Sequence, residues 1–393
     1  MAESPRVLIV ADDLTGAMDS AGPFAAAGVE TWVVASPMQC DPASLRSACV
    51  VSINTDSRHL PAAQAAARIR ETARHLGADG FQVIIKKIDS TLRGNVVAET
   101  LALMEATKRA KAVVAPAFPA QGRTVSGGIV YVGGVPLAQT GFAKDALSPP
   151  PLAPLRQEFE DAKAGVRAES VAASNAFEGD GDRVWVVDAE VDGDLSRMVE
   201  TIRPRLGTLL LAGSAGLTQA LARACFDANA TSAGFGKIKG TIVFAVGSRA
   251  VQSAEQVEAL ASEPQTCVMR APNGRLQNSE IPVARNLVIK ATADDAGQEG
   301  DAGQVALDMA HHAIDVVRRT GAEALVATGG DTAIAILAAS GNPALQVLGN
   351  LMPGIPYARV RIDGNPLWLV TKAGGFGGRD TFREVAQKLR GDT

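Results

Sequence analysis

At 393 residues the chain exceeds what one hydrophobic core usually spans, so two domains are expected, and 47% hydrophobic with 20% charged residues fits a globular protein. A net charge of -4 provides no basic field for nucleic acid or an anionic membrane, and 4% aromatic residues disfavour a base-stacking platform. Cys40, Cys49, Cys225 and Cys267 form no C-x-x-C pair, which argues against a zinc site or disulfide framework and suits reduced thiols in a cytoplasm. The first apolar run is four residues long, too short for a signal-peptide core, and no stretch approaches the roughly 18 apolar residues of a membrane span.

Short β-branched runs alternate with Ala-rich helical patterns. Strands are expected at 6–10, 31–35, 49–53, 81–86, 112–115, 184–188 and 208–212, with helices near 17–28, 61–76, 95–109, 193–205 and 215–226. Continuous apolar strands separated by helices predict a parallel sheet covered on both faces. Residues 116–154 are rich in Pro and Gly without periodicity and read as a long functional loop, and 227–240 as a linker. A second α/β pattern follows: a strand at 241–246, helices near 250–262 and 302–320, a strand at 324–327 and a helix near 332–340. Strands near 358–362 and 367–371 and a helix near 380–390 complete it, and 291–303 reads as an acidic loop. The expected fold class is α/β, with domains at 1–228 and 238–393, each a mostly parallel sheet flanked by helices.

The apolar run from Phe81 to Ile85 breaks abruptly into Lys86-Lys87-Ile88-Asp89-Ser90-Thr91-Leu92-Arg93-Gly94. Ligands of open α/β sheets bind at the carboxyl ends of strands, and this mixture of cations, carboxylate and hydroxyls suits an anionic, polyhydroxylated ligand. Lys87, Asp89 and Ser90 are candidate contacts, with Asp89 a candidate general base; a salt-bridged loop is the plain alternative. The N-terminal strand repeats the arrangement, running into Ala11-Asp12-Asp13-Leu14-Thr15-Gly16. Asp12 or Asp13 could bind hydroxyls, accept a proton, or cap the following helix. Arg58 could clamp a carboxylate bidentately. In the long loop, Arg123 is a second candidate anion contact, and the glycines at 133–134 would let backbone approach a ligand.

In the second half three glycine-rich turns follow strands: Val246-Gly247-Ser248-Arg249, Thr328-Gly329-Gly330-Asp331-Thr332 and Lys372-Ala373-Gly374-Gly375-Phe376-Gly377-Gly378. Such turns expose backbone N–H groups that cradle phosphates, helped by a helix N-terminus. With Met352-Pro353-Gly354-Ile355 joining them, they point to a nucleotide. There is no G-x-x-x-x-G-K-[ST] loop, no G-x-G-x-x-G after the first strand and no G-x-S-x-G elbow. Gly213-Ser214-Ala215-Gly216 reads as a helix start.

Together these segments, with Pro116-Ala117-Phe118-Pro119, Gly122-Arg123-Thr124 and Gly133-Gly134-Val135-Pro136-Leu137, resemble the four-carbon acid sugar kinase family in order over nearly the whole chain. The resemblance implies an acid-sugar-binding N-terminal domain, a nucleotide-binding C-terminal domain and an active site in the interdomain cleft. It implies ATP-dependent phosphorylation of a terminal hydroxyl of threonate, erythronate or 3-oxo-tetronate. By motif, Asp12, Arg58 and the Lys87–Ser90 stretch would contact substrate, and Ser248, the Met352–Ile355 turn and Gly375 would contact ATP. Mg²⁺ would bridge ATP phosphates with ligands mainly from phosphate and water, and Asp331 is a candidate outer-sphere contact; no protein metal site is expected. Lys87 and Arg58 would hold the sugar carboxylate while Asp89 or Asp12 takes the hydroxyl proton. Ala250 stands where the family often has a second Ser, and Asp145-Ala146 where Asp-Pro is common. Homo-oligomerisation is compatible with all of this. A nicotinamide-dependent sugar-acid dehydrogenase and a non-catalytic sugar-acid sensor are the rival readings.

Overall fold

The computed structural model describes residues 5–144, 148–151, 153–163, 166–173, 177–181, 183–226, 237–277 and 280–391. It divides into two compact units, Met1–Ala230 and Thr231–Thr393. Most of the expected linker, and the Asp145-Ala146 departure, lie outside the described residues.

The first unit runs β1 (Val7–Ala11), α1 (Leu14–Ala26), β2 (Thr31–Val34), β3 (Val50–Asn54), α2 (Ala62–His75), β4 (Val83–Lys87), α3 (Val96–Ala106) and β5 (Lys111–Ala115). It continues with β6 (Arg123–Ser126), β7 (Ile129–Val132), β8 (Val135–Pro136), α4 (Leu155–Ala162), β9 (Arg167–Ala172), β10 (Arg183–Asp188), α5 (Asp192–Ile202), β11 (Leu209–Gly213) and α6 (Ala215–Cys225). Its main sheet has the order β2-β3-β1-β4-β11-β5-β10-β9 with every pair parallel. Every residue of β1, β3, β4 and β11 is buried, the reason these strands read as unbroken apolar runs.

The segment expected to be irregular instead carries a small antiparallel sheet, β6-β7-β8. Its hairpins turn on Gly127-Gly128, at φ 59° and 75°, and Gly133-Gly134, at φ 58° and 80°. Two consecutive positive φ values are what a two-residue turn between twisted strands requires. Gly133 and Gly134 are therefore the turn residues of a hairpin. The sequence reading also passes over α4 and β9; the latter is an edge strand of mixed burial that carries no continuous apolar signal.

The second unit runs β12 (Ile242–Val246), α7 (Val251–Ala261), β13 (Thr266–Pro272), β14 (Asn286–Thr292), α8 (Ala302–Thr320), β15 (Ala324–Thr328), α9 (Gly330–Ala339), β16 (Ala344–Met352), β17 (Ile355–Ile362), β18 (Asn365–Lys372) and α10 (Thr381–Arg390). Its strands lie in the order β13-β14-β12-β15-β18-β17-β16, parallel from β13 to β18 and antiparallel beyond. Strands β13, β14 and β16 are absent from the sequence reading. β13 is a part-exposed edge, and β16 alternates buried with half-exposed positions. Phe244 packs on Phe382, ring centroids 5.4 Å apart, in a core with Val257, Leu260, Val385 and Leu389.

Candidate active site

Strand register assembles the polar segments of the first unit. Ala11 lies beside Asn54 and Lys87, Lys87 beside Gly213, and Gly213 beside Ala115. The loops after β1, β3, β4, β5 and β11 therefore leave the sheet along one edge. From β1 the chain crosses to β2 on one side, and from β4 to β5 on the other. The β1/β4 boundary is thus a topological switch point, where the ends of open α/β sheets form a crevice.

Asp12, Asp13 and Arg58 form one cluster. Arg58 donates through Nε to Asp12 Oδ2 at 2.7 Å, through Nη2 to Asp12 Oδ1 at 2.9 Å, and through Nη1 to Asp13 Oδ2 at 2.6 Å. Asp13 also caps α1, accepting from the Gly16 N–H at 2.7 Å. The guanidinium fork is thus filled by protein carboxylates, and Arg58 is not the open carboxylate clamp that the sequence suggests. Its place is to hold the Asp12 and Asp13 carboxylates fixed. Burial alone would raise the Asp12 carboxyl, but Arg58, Lys86 and Lys87 outweigh it and hold the group below its usual value.

Adjacent Lys86 and Lys87 point to opposite faces of the sheet, as successive strand residues must. Lys86 is 1% exposed and pairs with Glu99 of α3 at 2.8 Å, and Glu99 also accepts from Ser57 Oγ at 2.6 Å. The Lys87 side, facing α1, is different. Lys87 is 5% exposed and donates to the Ile88 carbonyl at 2.9 Å, with no carboxylate in ion-pair contact among the described residues. Its ammonium lies 3.5 Å from where a Cβ on Gly16 would stand, so the missing side chain at 16 leaves room beside it.

Asp89 is engaged by its own loop. Arg93 donates through Nε at 2.8 Å and Nη2 at 3.2 Å, and Thr91 Oγ1 gives a further short bond. Burial raises its carboxyl, but Arg93 and Arg58 with these hydrogen bonds prevail and place it well below the carboxylate range. Carboxylates so depressed make poor proton acceptors near neutral pH. Asp89 and Asp12, the candidate bases, are thus both held by arginines, an arrangement that suits a fixed anionic acceptor better than a proton acceptor. Ser90 is part-exposed, and its side chain has no hydrogen-bond partner among the described residues. Arg123 opens β6; one Nη donates to the Gln121 carbonyl, while the buried Nε has no partner among the described residues. Ser214 caps α6, accepting from Gly216 N–H at 3.2 Å and donating to the Ala117 carbonyl at 2.6 Å, a structural role in agreement with its sequence reading.

One acidic residue of this region is missing from the sequence reading. Asp19 lies in α1, three residues after Gly16, on the part-exposed stripe shared with Thr15. Burial pushes its carboxyl up to about 6, against the pull of Lys87 and with a smaller push from Asp13. The signal was the i, i+3 spacing to Gly16, legible only once the facing lysine is known.

In the second unit, Val246, Thr328 and Lys372 stand side by side at the strand ends. Their three glycine turns emerge together. A Cβ on Gly247 would stand 2.0 Å from Thr332 Oγ1, and one on Gly374 2.0 Å from Ser248 Oγ. The Met352–Ile355 hairpin joins them, since a Cβ on Gly354 would lie 2.5 Å from the Phe376 ring. Ser248 Oγ accepts from the Ala250 N–H at 3.2 Å, and Ala250, at the α7 N-cap, has no capping side chain. Gly329 precedes α9, whose first turn holds Gly330, the exposed Asp331 and buried Thr332. Pro353 is exposed at the hairpin tip.

The carbonyls of the last turn face inward. Lys372 donates to those of Ala373, Gly374 and Phe376 at 2.7, 3.1 and 3.0 Å, Ser253 to Gly374 at 2.8 Å, and Gln256 to Phe376 and Gly378 at 2.9 and 3.0 Å. Burial lowers the Lys372 ammonium to about 7. With its carbonyls tied down, the turn presents the N–H groups of Gly374 and Gly375, for which no described residue is an acceptor. This is the geometry of an anion nest, beside the free N–H groups of the α9 N-terminus. Lys372 opens the third glycine-rich segment of the sequence, where it has no role of its own; like Lys87, it is a cation closing an apolar strand. Gly374→Ala is expected to displace Ser248 and destabilise the second unit by about 1–3 kcal/mol, the scale of overpacking strain; urea unfolding checks this.

Comparison with known proteins decides the relationship. A family model described as a sugar-binding N-terminal domain matches residues 7–221, and one described as a nucleotide-binding C-terminal domain matches residues 275–382. A D-threonate kinase of Bordetella bronchiseptica is 34% identical, with 98% of each chain covered, and one of Cupriavidus necator 33% identical, with 94% of each covered. A 3-oxo-tetronate kinase of Methylobacterium radiotolerans is 31% identical over 95% of this chain and 96% of that one.

The chain belongs to the four-carbon acid sugar kinase family.

Its fold agrees: a crystal structure from Salmonella typhimurium LT2 superposes with TM-score 0.79 at 22% identity, covering 97% of this chain and 98% of the other. A Haemophilus influenzae protein gives 0.70 at 22% identity, covering 98% and 100%. Membership of the four-carbon acid sugar kinases accounts for the order of motifs, and the α/β architecture of both units is the one that the sequence implies. No helix among the described residues is long and apolar enough to cross a membrane.

Proposed function

We propose that this chain is an ATP-dependent kinase that transfers a phosphoryl group to the terminal hydroxyl of a four-carbon sugar acid. The observation that carries the reading is the combination of a buried, carboxylate-free lysine ammonium in the unit matched as sugar-binding with a nest of backbone N–H groups in the unit matched as nucleotide-binding. Phosphoryl transfer asks mainly for positioning and charge neutralisation, and these two features supply both. The kinases named for threonate and 3-oxo-tetronate support the acceptor class.

In this reading Lys87 and the open Nε of Arg123 receive the sugar carboxylate. Asp12 and Asp89 accept from substrate hydroxyls with the lone pairs that Arg58 and Arg93 leave, and Ser90 adds a hydrogen bond. The turns at 247–248, 329–332, 352–355 and 374–375 receive ATP, with its phosphates at the N–H groups of Gly374, Gly375 and the α9 N-terminus. Mg²⁺ would enter on the ATP phosphates, which with water would supply most of its ligands, and Asp331, exposed in the first turn of α9, is the candidate for a contact through water. A reaction drawing on ATP and a small metabolite suits the cytoplasm.

The test is an ADP-release assay over D- and L-threonate, D-erythronate and 3-oxo-tetronate, with phosphorus NMR of the product. Turnover of at least one acid to a phosphomonoester is expected, beginning with D-threonate. Binding without turnover across the panel would leave a sensor, and tight NADH binding in a fluorescence titration would favour a dehydrogenase.

A further inference from the structure

We propose that Asp19 is the group that takes the proton from the acceptor hydroxyl. The inference rests on the kinase reading above and deepens it, because the carboxylates that the motifs single out are already committed. Asp12 is held by both arms of Arg58, and Asp89 by Arg93 and Thr91. Asp19 is different on each count. It is part-exposed, and no described residue hydrogen-bonds or ion-pairs with its carboxylate. Side chains on a helix lean toward its N-terminus and overlie the preceding turn. Asp19 therefore leans toward Thr15 and Gly16, the turn of α1 that borders the crevice.

The same turn faces Lys87, whose ammonium stands 3.5 Å from the position that a Cβ on Gly16 would take. A sugar acid whose carboxylate or hydroxyl meets Lys87 is thus delivered beside Asp19. The charged groups acting on Asp19 are Lys87 from β4 and Asp13 at the start of α1. Burial outweighs the lysine and sets the carboxyl at about 6, ionised at neutral pH yet far more basic than Asp12 or Asp89. A base is most effective when its pKa lies near the working pH.

The step balances simply. The acceptor O–H bond breaks and its proton passes to an Asp19 oxygen. The hydroxyl oxygen bonds to the γ-phosphorus, the bond from that phosphorus to the β,γ-bridging oxygen breaks, and ADP leaves. The proton returns to solvent when products depart.

The experiment is a pH profile of kcat at saturating MgATP and acid for the parent enzyme, Asp19→Asn and Asp19→Glu. The parent is expected to lose activity below about pH 6, the value set by the Asp19 carboxyl. Asp19→Asn should lower kcat by roughly 10²-fold, a typical contribution of a positioned base, with little change in either KM and no acid limb. Asp19→Glu should keep part of the rate and the limb. Calorimetry showing that Asp19→Asn still binds acid and ATP separates this from misfolding. Parental kcat in Asp19→Asn would overturn the assignment, as would an acid limb that persists there, since a limb owed to ATP or another residue survives the change. Loss of binding together with rate would also overturn it, making Asp19 a binding residue. No turnover by the parent on any four-carbon acid would overturn the kinase reading itself and this assignment with it.

Discussion

Lys87→Met is expected to lower kcat/KM for the acid by roughly 30- to 1,000-fold, the equivalent of the 2–4 kcal/mol that removal of one partner from a desolvated charge pair commonly takes. Most of the effect should fall on KM if Lys87 receives the carboxylate. Folding should not suffer. The ammonium is buried against a single carbonyl, without a carboxylate in contact, so a methionine of similar length breaks no direct ion pair and keeps the packing volume. Thermal unfolding should stay at the parental midpoint or rise, while steady-state kinetics collapse. A variant that binds and phosphorylates the acid normally would remove Lys87 from the site, and with it the observation on which the functional reading chiefly stands.

The neighbouring lysine should behave in the opposite way. Lys86→Met leaves Glu99 1% exposed without its cation, with Ser57 as its remaining side-chain partner. Breaking a buried pair from one side destabilises by about 3–5 kcal/mol, whereas replacing both members with apolar groups is often close to neutral. Lys86→Met is therefore expected to lower the unfolding midpoint of the first unit by roughly 10 °C, on the scale of a domain of this size. The double variant Lys86→Met, Glu99→Leu should recover most of that loss. Urea unfolding of the four proteins of the cycle measures the coupling directly. Equal destabilisation by the single and double variants would show that the lysine packs and does not pair.

These two outcomes also mark how far the sequence reaches. The break from apolar strand to Lys86-Lys87 places both cations at a strand end, and periodicity puts them on opposite faces. What occupies each face is a matter of helices contributed from elsewhere in the chain: α3 brings Glu99 to one, α1 brings a glycine to the other. Arg58 teaches the same lesson in reverse. Its fork was legible as a carboxylate clamp, but the carboxylates it clamps are Asp12 and Asp13, separated from it by 46 and 45 residues. The hairpins that Gly127-Gly128 and Gly133-Gly134 close lie in the segment that reads as an irregular loop, because prolines and glycines there hide the strand alternation.

By itself the sequence determined the alternation of buried strands and amphipathic helices, the carboxyl ends at which polar residues collect, and the family to which their order belongs. Local pattern suffices there, because a strand covered on both faces must be apolar throughout and must end where polar groups begin. Only the tertiary structure decided which charges neutralise one another and which stay open. Electrostatic partnership depends on register and helix packing across tens of residues. That is why Asp19 escaped the reading, why Lys372 had no role in it, and why the polar loop after Ile85 has become one open lysine beside carboxylates that are already held.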